Sequence, residues 1–512
     1  MSQRSKLFPL LIVFLAAAPG LRLAAQPGPL APNGPEVQLT GEADAFTSPS
    51  LAADPGGGLQ LVWNRGLSFY QNEAWARHFD RGGHPSGPAV RLDTPAYLLR
   101  TSLTAMPLGP PGRSTALWIN YSNPLSGGAP DFRKAVGDPS TVSARLLGAD
   151  GLPLGGEIQL DTTGEANGYS LTAAPLSGGG FVASWSDYTL GTVVVRTFDA
   201  GAQPLGGEVV VEPHSYILGG LAAGGFLAWW QDPGSGGFAR RFGRDGQPAG
   251  AAFAVDAGLR PVLRPDGSFV SATAQTEPGN SGIMAVTARL WDAAGHRLGT
   301  DIAVGDGVGE LRVDSVAVSP SGDFLVVWLA SVEGDAGANL IELWARLFDA
   351  AGHPAGPAVR VNSQSADSRF AAQAVTDGHD WVIGWTATTS GTFLARRFSS
   401  ACATPDRTLC LQDSRFRVDV TWHDPRSGAT GTASTIPQTS DTGGFWFFSP
   451  DNLELTVKVL DGRAVNGHFW VFYGSLSDVE FTVVVTDSAT GIKKTYHNPP
   501  YNLASRADTA AF

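Results

Sequence analysis

Short runs in which every second residue is apolar fill most of this chain, and Gly, Pro, Asp or Asn interrupts them at regular places. Period-two alternation sends successive side chains to opposite faces of an extended segment, so the pattern predicts strands and not amphipathic helices. The runs come in sets. One type, "GGGLQLVW", "GGGFVASW", "GGFLAWW", "GDFLVVW" or "HDWVIGW", follows Gly or a polar turn and usually ends in Trp, at Trp63, Trp118, Trp185, Trp230, Trp328 and Trp385. The next run closes on Ala or Val, Arg, any residue, and Phe, Leu or Trp, which places arginines at 77, 145, 196, 240, 289, 346 and 396. Eight positions after that last apolar residue stands Gly87, Gly155, Gly206, Gly250, Gly299 or Gly356, with Pro two residues earlier in five of the six. Pro presets φ and Gly supplies positive φ, so this cluster predicts a hairpin loop. A further alternating pair follows it, as in Val90 and Leu92, Ile158 and Leu160, or Val359 and Val361, and a short strand such as "SLAA" or "DSVAV" precedes each set.

Each set therefore holds four antiparallel strands, and the set repeats. "ARHFDRGGHPSGPAVRLD" at 76–93 and "ARLFDAAGHPAGPAVRVN" at 345–362 share twelve of eighteen residues. Four-stranded units recurring seven times predict an all-β chain with a seven-bladed β-propeller over residues 36–400. The last unit, "ARRFSS", runs out without a fourth strand, while "EVQLT" at 36–40 has the fourth-strand pattern and no hairpin before it. Pairing the two closes the ring and removes two exposed edges. After Cys410 the repeat stops. Runs such as "RFRVDVTW", "GFWFF", "LELTVKVL", "HFWVFYGSL" and "VEFTVVVTD" predict a C-terminal β-sandwich over 412–512. In "HFWVFYG" both faces are apolar: Trp470 and Phe472 point one way, Phe469, Val471 and Tyr473 the other.

The repeated unit resembles the blades of secreted bacterial propellers of the type GGFVVAW…ARLFDAAGxPxG, and the final hundred residues resemble a module recurring at the C-termini of secreted bacterial proteins. The second likeness rests on "RFRVDVTW" and "GFWFFSPDNLELTVKVLDGRAVNGHFWVFYG" and implies no activity.

Composition narrows the partners. A formal charge of -12 with no basic stripe excludes nucleic acid and anionic lipid as bulk electrostatic partners. Arg4 and Lys6, the apolar "LFPLLIVFLAAA" and the small residues of "LRLAAQ" read as a signal peptide over 1–25, followed by a linker over 26–35. No later run is long enough for a membrane span. Export, to the medium, the periplasm or the cell surface, favours a disulfide between Cys402 and Cys410 in a connector over 401–411; two thiols alone cannot fill a zinc site.

Motifs for metalloproteases, serine hydrolases, phosphate loops and calcium loops are absent from the sequence, and no metal or cofactor is expected. His84, His296 and His353 occupy a turn position that holds Leu152, Ala202 or Gln247 in other units, which makes them solvated turn residues. Asp80, Asp199, Asp292 and Asp349 open those turns and suit bonds to turn amides. The repeated arginines suit packing between units, stacked on an aromatic ring such as the second-strand Trp. Function is then sought in the loops that vary. Asn64, Arg65 and Tyr70, Asn120 and Tyr121, Asp187 and Tyr188, and Gln231 and Asp232 follow the second strands of successive units. Amides and rings there fit an extracellular glycan or protein ligand, with the C-terminal module serving attachment or sorting. The alternative is a propeller glycoside hydrolase or lyase drawing carboxylates from Asp131, Asp187, Asp232, Glu333 and Asp335, among which no spacing selects a pair.

Overall fold

The computed structural model describes residues 28–512 apart from 34, 42–45, 55–56, 69–70, 95–98, 109–112, 122–139, 164–165, 188–189, 233–235, 256–260, 277–282, 309–310, 334–338, 364–371, 379, 388–391, 401–406, 413–414 and 488–491. It is all-β, with one helical turn at Arg463–Asn466 among the described residues. Seven antiparallel sheets follow one another along the chain, spanning 46–91, 99–159, 166–211, 216–255, 262–308, 311–360 and 372–400. The first six contain four strands in chain order; the seventh takes three strands from its own segment. First strands of neighbouring sheets touch in sequence, and that of the seventh touches that of the first, so the sheets form a ring.

The repeat's apolar residues hold each sheet together and join it to the next. The Phe that opens a second strand stacks on the last residue of the third: Phe181 on Phe198 and Phe226 on Phe242 at 4.9 Å, Phe324 on Phe348 at 5.0 Å. The preceding Gly is required there. A Cβ on Gly180 (φ 91°) would lie 2.2 Å from the Phe198 carbonyl oxygen, and one on Gly225 (φ 77°) 2.1 Å from that of Phe242. Trp118, Trp185 and Trp385 are fully buried.

The recurring arginines are staples between sheets. Nε of Arg77, Arg145 and Arg346 donates to the carbonyls of Gly87, Gly155 and Gly356 at 3.0 Å, across the sheet's own hairpin. The other arm reaches the previous sheet: Arg196 Nη1 donates to the Leu160 carbonyl at 2.8 Å, Arg346 to Val304 at 3.0 Å and Arg396 to Val361 at 3.1 Å. The stacked ring is the Phe two residues on, at 5.6–5.9 Å for Arg77, Arg196, Arg346 and Arg396. Of the second-strand tryptophans, Trp230 takes this part, with Arg240 at 5.8 Å. Arg289 departs from the scheme because Arg297 stands where other hairpins have Pro. The fourth strand there runs on as Arg297–Val308, and Arg289 pairs with Asp301 at 2.7 Å.

Residues from the N-terminal segment complete the seventh sheet. Val37–Gln38 pairs antiparallel with Leu394 and Ala395, as "EVQLT" predicts. Two side chains repeat the roles of true fourth strands. Asp93, Asp161 and Asn362 accept the amides of Ala74, Val142 and Leu343 at 2.7–2.8 Å, and Thr40 Oγ1 accepts that of Phe393 at 2.8 Å. Glu157 and Glu208 accept the amides of Thr94 and Thr162 from the preceding sheet, and Glu36 accepts that of Ser363. The stretch 26–35, read as a linker, is corrected in part: Leu30–Pro32 is also a strand, paired with Phe398–Ser400, and Leu30 is buried against the sixth and seventh sheets.

The C-terminal hundred residues form two five-stranded sheets over one core. Phe416, Val418, Phe481 and Val483 enter it from one sheet, Val457, Phe469, Val471 and Tyr473 from the other. Trp470 and Phe472 point outward as the alternation requires, half-buried, with Trp470 Nε1 donating to Asn466 Oδ1 at 2.8 Å. Arg417, on the outer side of the first of these sheets, donates to Ser400 Oγ at 3.4 Å and faces Asp323 of the ring. Burial raises the Asp323 carboxyl and lowers the Arg417 guanidinium; their attraction opposes both shifts. No described helix is long and apolar enough to cross a membrane.

Candidate functional site

The variable segments join second to third strands, so the residues singled out beside them gather at one end of the ring, opposite the hairpins. Their accessibility divides them. Asn64 is buried and donates to the Arg100 carbonyl at 3.2 Å. Asn120 is buried too. It accepts from Trp118 Nε1 at 2.8 Å and donates to Ser143 Oγ at 2.9 Å and Glu157 Oε1 at 2.6 Å. Asp187 caps its own turn by accepting the Leu190 amide at 2.9 Å, and accepts the Thr163 hydroxyl at 3.1 Å. The ligand-contact reading of these three is corrected: their polar atoms hold strand ends and turns in place. Arg65 and Tyr121 are half-buried, Arg65 lying 5.6 Å over the Trp75 ring, while Gln231 and Asp232 are exposed. Tyr70 and Tyr188 lie outside the described residues, as do Asp131, Asp335 and the side chain of Glu333.

Beneath this end, between the first two sheets, lies a charged cluster that the sequence reading missed. Arg100 is 2% exposed, and its Nη2 pairs with Asp93 Oδ2 at 2.7 Å. It also donates to the carbonyls of Asn72 at 2.6 Å and Thr94 at 2.7 Å, while Asn72 returns a bond to the Arg100 carbonyl. Arg91 bridges Asp93 at 2.8 Å and Glu73 at 2.6 Å. Burial depresses the Arg100 guanidinium, and Asp93 acts against that. Two arginines and two carboxylates in this setting tie the first sheet to the start of the second.

The hairpin end has a different character. Asp80, Asp199, Asp292 and Asp349 accept the amides of His84, Gln203, His296 and His353 at 2.8 Å, and the three histidine rings are largely exposed. The amide of His84 holds the Asp80 carboxyl below the usual carboxylate range, and that of His296 does the same for Asp292. A carboxyl depressed by folding adds stability above its unfolded pKa that disappears as pH falls through the folded value. The hairpins are therefore expected to loosen below about pH 4; a pH series of thermal unfolding should show the melting temperature falling there, with the loss reduced in an Asp80→Asn/Asp292→Asn variant. A cavity of about 180 Å³ at the ring seam is lined by Asn33, Val37, Arg81, Arg396 and Arg397. Its arginines are tied to the ring: Arg81 to Asp380 at 2.8 Å, Arg397 to Asp377 at 2.7 Å.

No protein-family profile matches the chain, and no curated protein matches it. Among solved structures it is similar to a protein of unknown function from Dyadobacter fermentans, with TM-score 0.40 and 9% identity over 73% of this chain and 99% of that one. It is also similar to prolyl oligopeptidase B from Galerina marginata, at 0.35 and 12% over 77% and 55%, and to a eukaryotic initiation factor, at 0.30 and 9% over 92% and 91%. The chain thus spans about half the length of the peptidase. Likeness at this level assigns no activity.

Proposed function

We propose that the chain is an exported binding protein, non-catalytic toward the ligand held at its variable-loop end. In this reading its seven sheets are the blades of a β-propeller of the secreted bacterial type, closed by the N-terminal strands. An extracellular glycan is bound at the end opposite the hairpins, and the two C-terminal sheets form a sandwich that attaches or sorts the protein. The observation that carries the reading is the division of labour within the repeat. Its arginines, turn acids and hairpin glycines join each sheet to itself or to its neighbour. Arg65, Tyr121, Gln231 and Asp232 stay at least partly accessible on the scaffold so built. Rings, amides and a carboxylate at the rim of a rigid scaffold suit sugar stacking and hydroxyl recognition. A glycan array tests this with the secreted full-length chain: retention of a discrete set of glycans is expected, and retention of none overturns the glycan reading. Hydrolysis of a retained polysaccharide would favour the glycosidase instead.

The same reading places a bond between Cys402 and Cys410. Cys402 lies outside the described residues, and no described cysteine is free. Intact mass of the exported protein should rise by two hydrogens on reduction; two alkylatable thiols before reduction would contradict the bond.

A further inference from the structure

At the hairpin end of the first sheet, three polar side chains stand in a row. His78 Nδ1 lies 3.1 Å from Ser86 Oγ, and its Nε2 lies 3.1 Å from Asp54 Oδ2. The backbone shows what these positions hold elsewhere. The amide of Ser86 donates to the carbonyl of His78 as Leu154 does to Leu146 and Ala355 to Leu347, so two other sheets place apolar pairs here. In the seventh sheet Arg397 occupies the His78 position and pairs with Asp377, where the first sheet has Asp54. An Arg stays protonated and cannot act as a base; a His can.

We propose that Ser86, His78 and Asp54 form a nucleophilic site that accepts acyl groups from small carboxylic esters. The site is separate from the glycan surface at the other end. Asp54 is the positioning residue. As acceptor for Nε2–H it selects the tautomer whose Nδ1 is an unprotonated base, within the distance that proton transfer requires. The His78 side chain is 13% exposed and that of Asp54 22%, while Ser86 is exposed to solvent. The cleft beside Asp54, lined by Gln60, Pro107 and Arg113, has a volume of about 10 Å³, room for no more than about one water. An ester therefore arrives from the Ser86 side. There the hairpin of the second sheet, whose Gly151 lies against the His78 Cβ, carries the exposed Leu152 and Leu154.

In the first step Ser86 Oγ bonds to the ester carbonyl carbon while its proton passes to His78 Nδ1, and the carbonyl π pair moves to oxygen. As the tetrahedral centre collapses, the carbon–alkoxide bond breaks and the alkoxide takes the proton from His78. This leaves acyl-Ser86 and an alcohol, and water repeats the sequence to release the acid.

The test uses the full chain with a fluorophosphonate probe and p-nitrophenyl acetate. One probe per chain is expected on Ser86 by peptide mass spectrometry, together with a nitrophenol burst. Ser86→Ala should abolish label and burst. His78→Gln should slow labelling at least tenfold, and Asp54→Asn should slow it while altering the pH profile, each with cooperative thermal unfolding retained. Absence of label, label on another residue of the wild-type chain, or a labelling rate unchanged in His78→Gln would overturn the proposal. The wild-type labelling site decides even if a variant fails to fold.

Discussion

A chain whose first residue is Gly41 unfolds far more readily than the full-length protein, by a margin on the order of 5 kcal/mol or more. The margin follows from what residues 28–40 do. Leu30 and Leu39 are 4% and 2% exposed, and emptying a buried leucine site costs about 2–5 kcal/mol. The strand Thr392–Ser400 also loses its outer partners. Asn33 no longer donates to the Arg397 carbonyl at 2.8 Å, nor Leu39 to that of Phe393 at 2.9 Å, and the Phe393 amide loses Thr40. A shorter truncation ending at Asn33 keeps Val37–Gln38 and removes Leu30, so it should cost about one leucine's worth, 2–5 kcal/mol. Differential scanning calorimetry of the three chains checks the order: full length, then the truncation through 33, then the truncation through 40. Equal stability of the last two would show that "EVQLT" does not complete the seventh sheet.

The second large effect is expected at Arg100. Replacing it by Met leaves the buried Asp93 to Arg91, at 2.8 Å, and strips the carbonyls of Asn72 and Thr94 of their Arg100 donor; the loss should be about 3 kcal/mol, the lower end for breaking a buried pair, because Arg91 still compensates the carboxylate. Asp93 also accepts the Ala74 amide, a bond that an Asn keeps: Asn362 does this for Leu343 in the sixth sheet. Arg100→Met/Asp93→Asn is therefore predicted to recover most of the loss. Chemical denaturation of the two single variants and the double variant measures the coupling; additive losses would mean that the two charges act independently.

The hairpins, the four-strand sets and the closing strand at 36–40 were legible in the sequence because each rests on local chemistry repeated at fixed offsets. Pro85 and Gly87 recur as Pro153 and Gly155, and their bridges to Phe79 and Leu147 recur with them. Leu30–Pro32 was not legible. Three residues among prolines show no alternation, and what makes them a strand is the edge of Phe398–Ser400, far along the chain. Arg100 was hidden in the same way, since Asp93 and Asn72 meet it only after two sheets pack. At Asn64, Asn120 and Asp187 the sequence pattern had two solutions. A polar residue closing a second strand looks the same whether its partner is a ligand or a neighbouring carbonyl, and the partners proved to be Arg100, Glu157 and the turn amide of Leu190. The departure at Arg289 could have been found, because Arg297 replaces the hairpin proline and Asp301 follows four residues later. The Asp54, His78 and Ser86 row was also in plain sight, but only the cross-strand register places it in line.

The measurement closest to the central claim compares the two ends of the ring. Affinity for a glycan retained on the array is measured by calorimetry for the wild type, for Arg65→Ala/Tyr121→Ala/Asp232→Ala at the end opposite the hairpins, and for His84→Ala/His296→Ala/His353→Ala at the hairpin end. All three proteins should melt within a few degrees of one another. A loss of at least tenfold in the first variant, with less than twofold change in the second, is the predicted result; unchanged binding in the first, or the larger loss in the second, would contradict it.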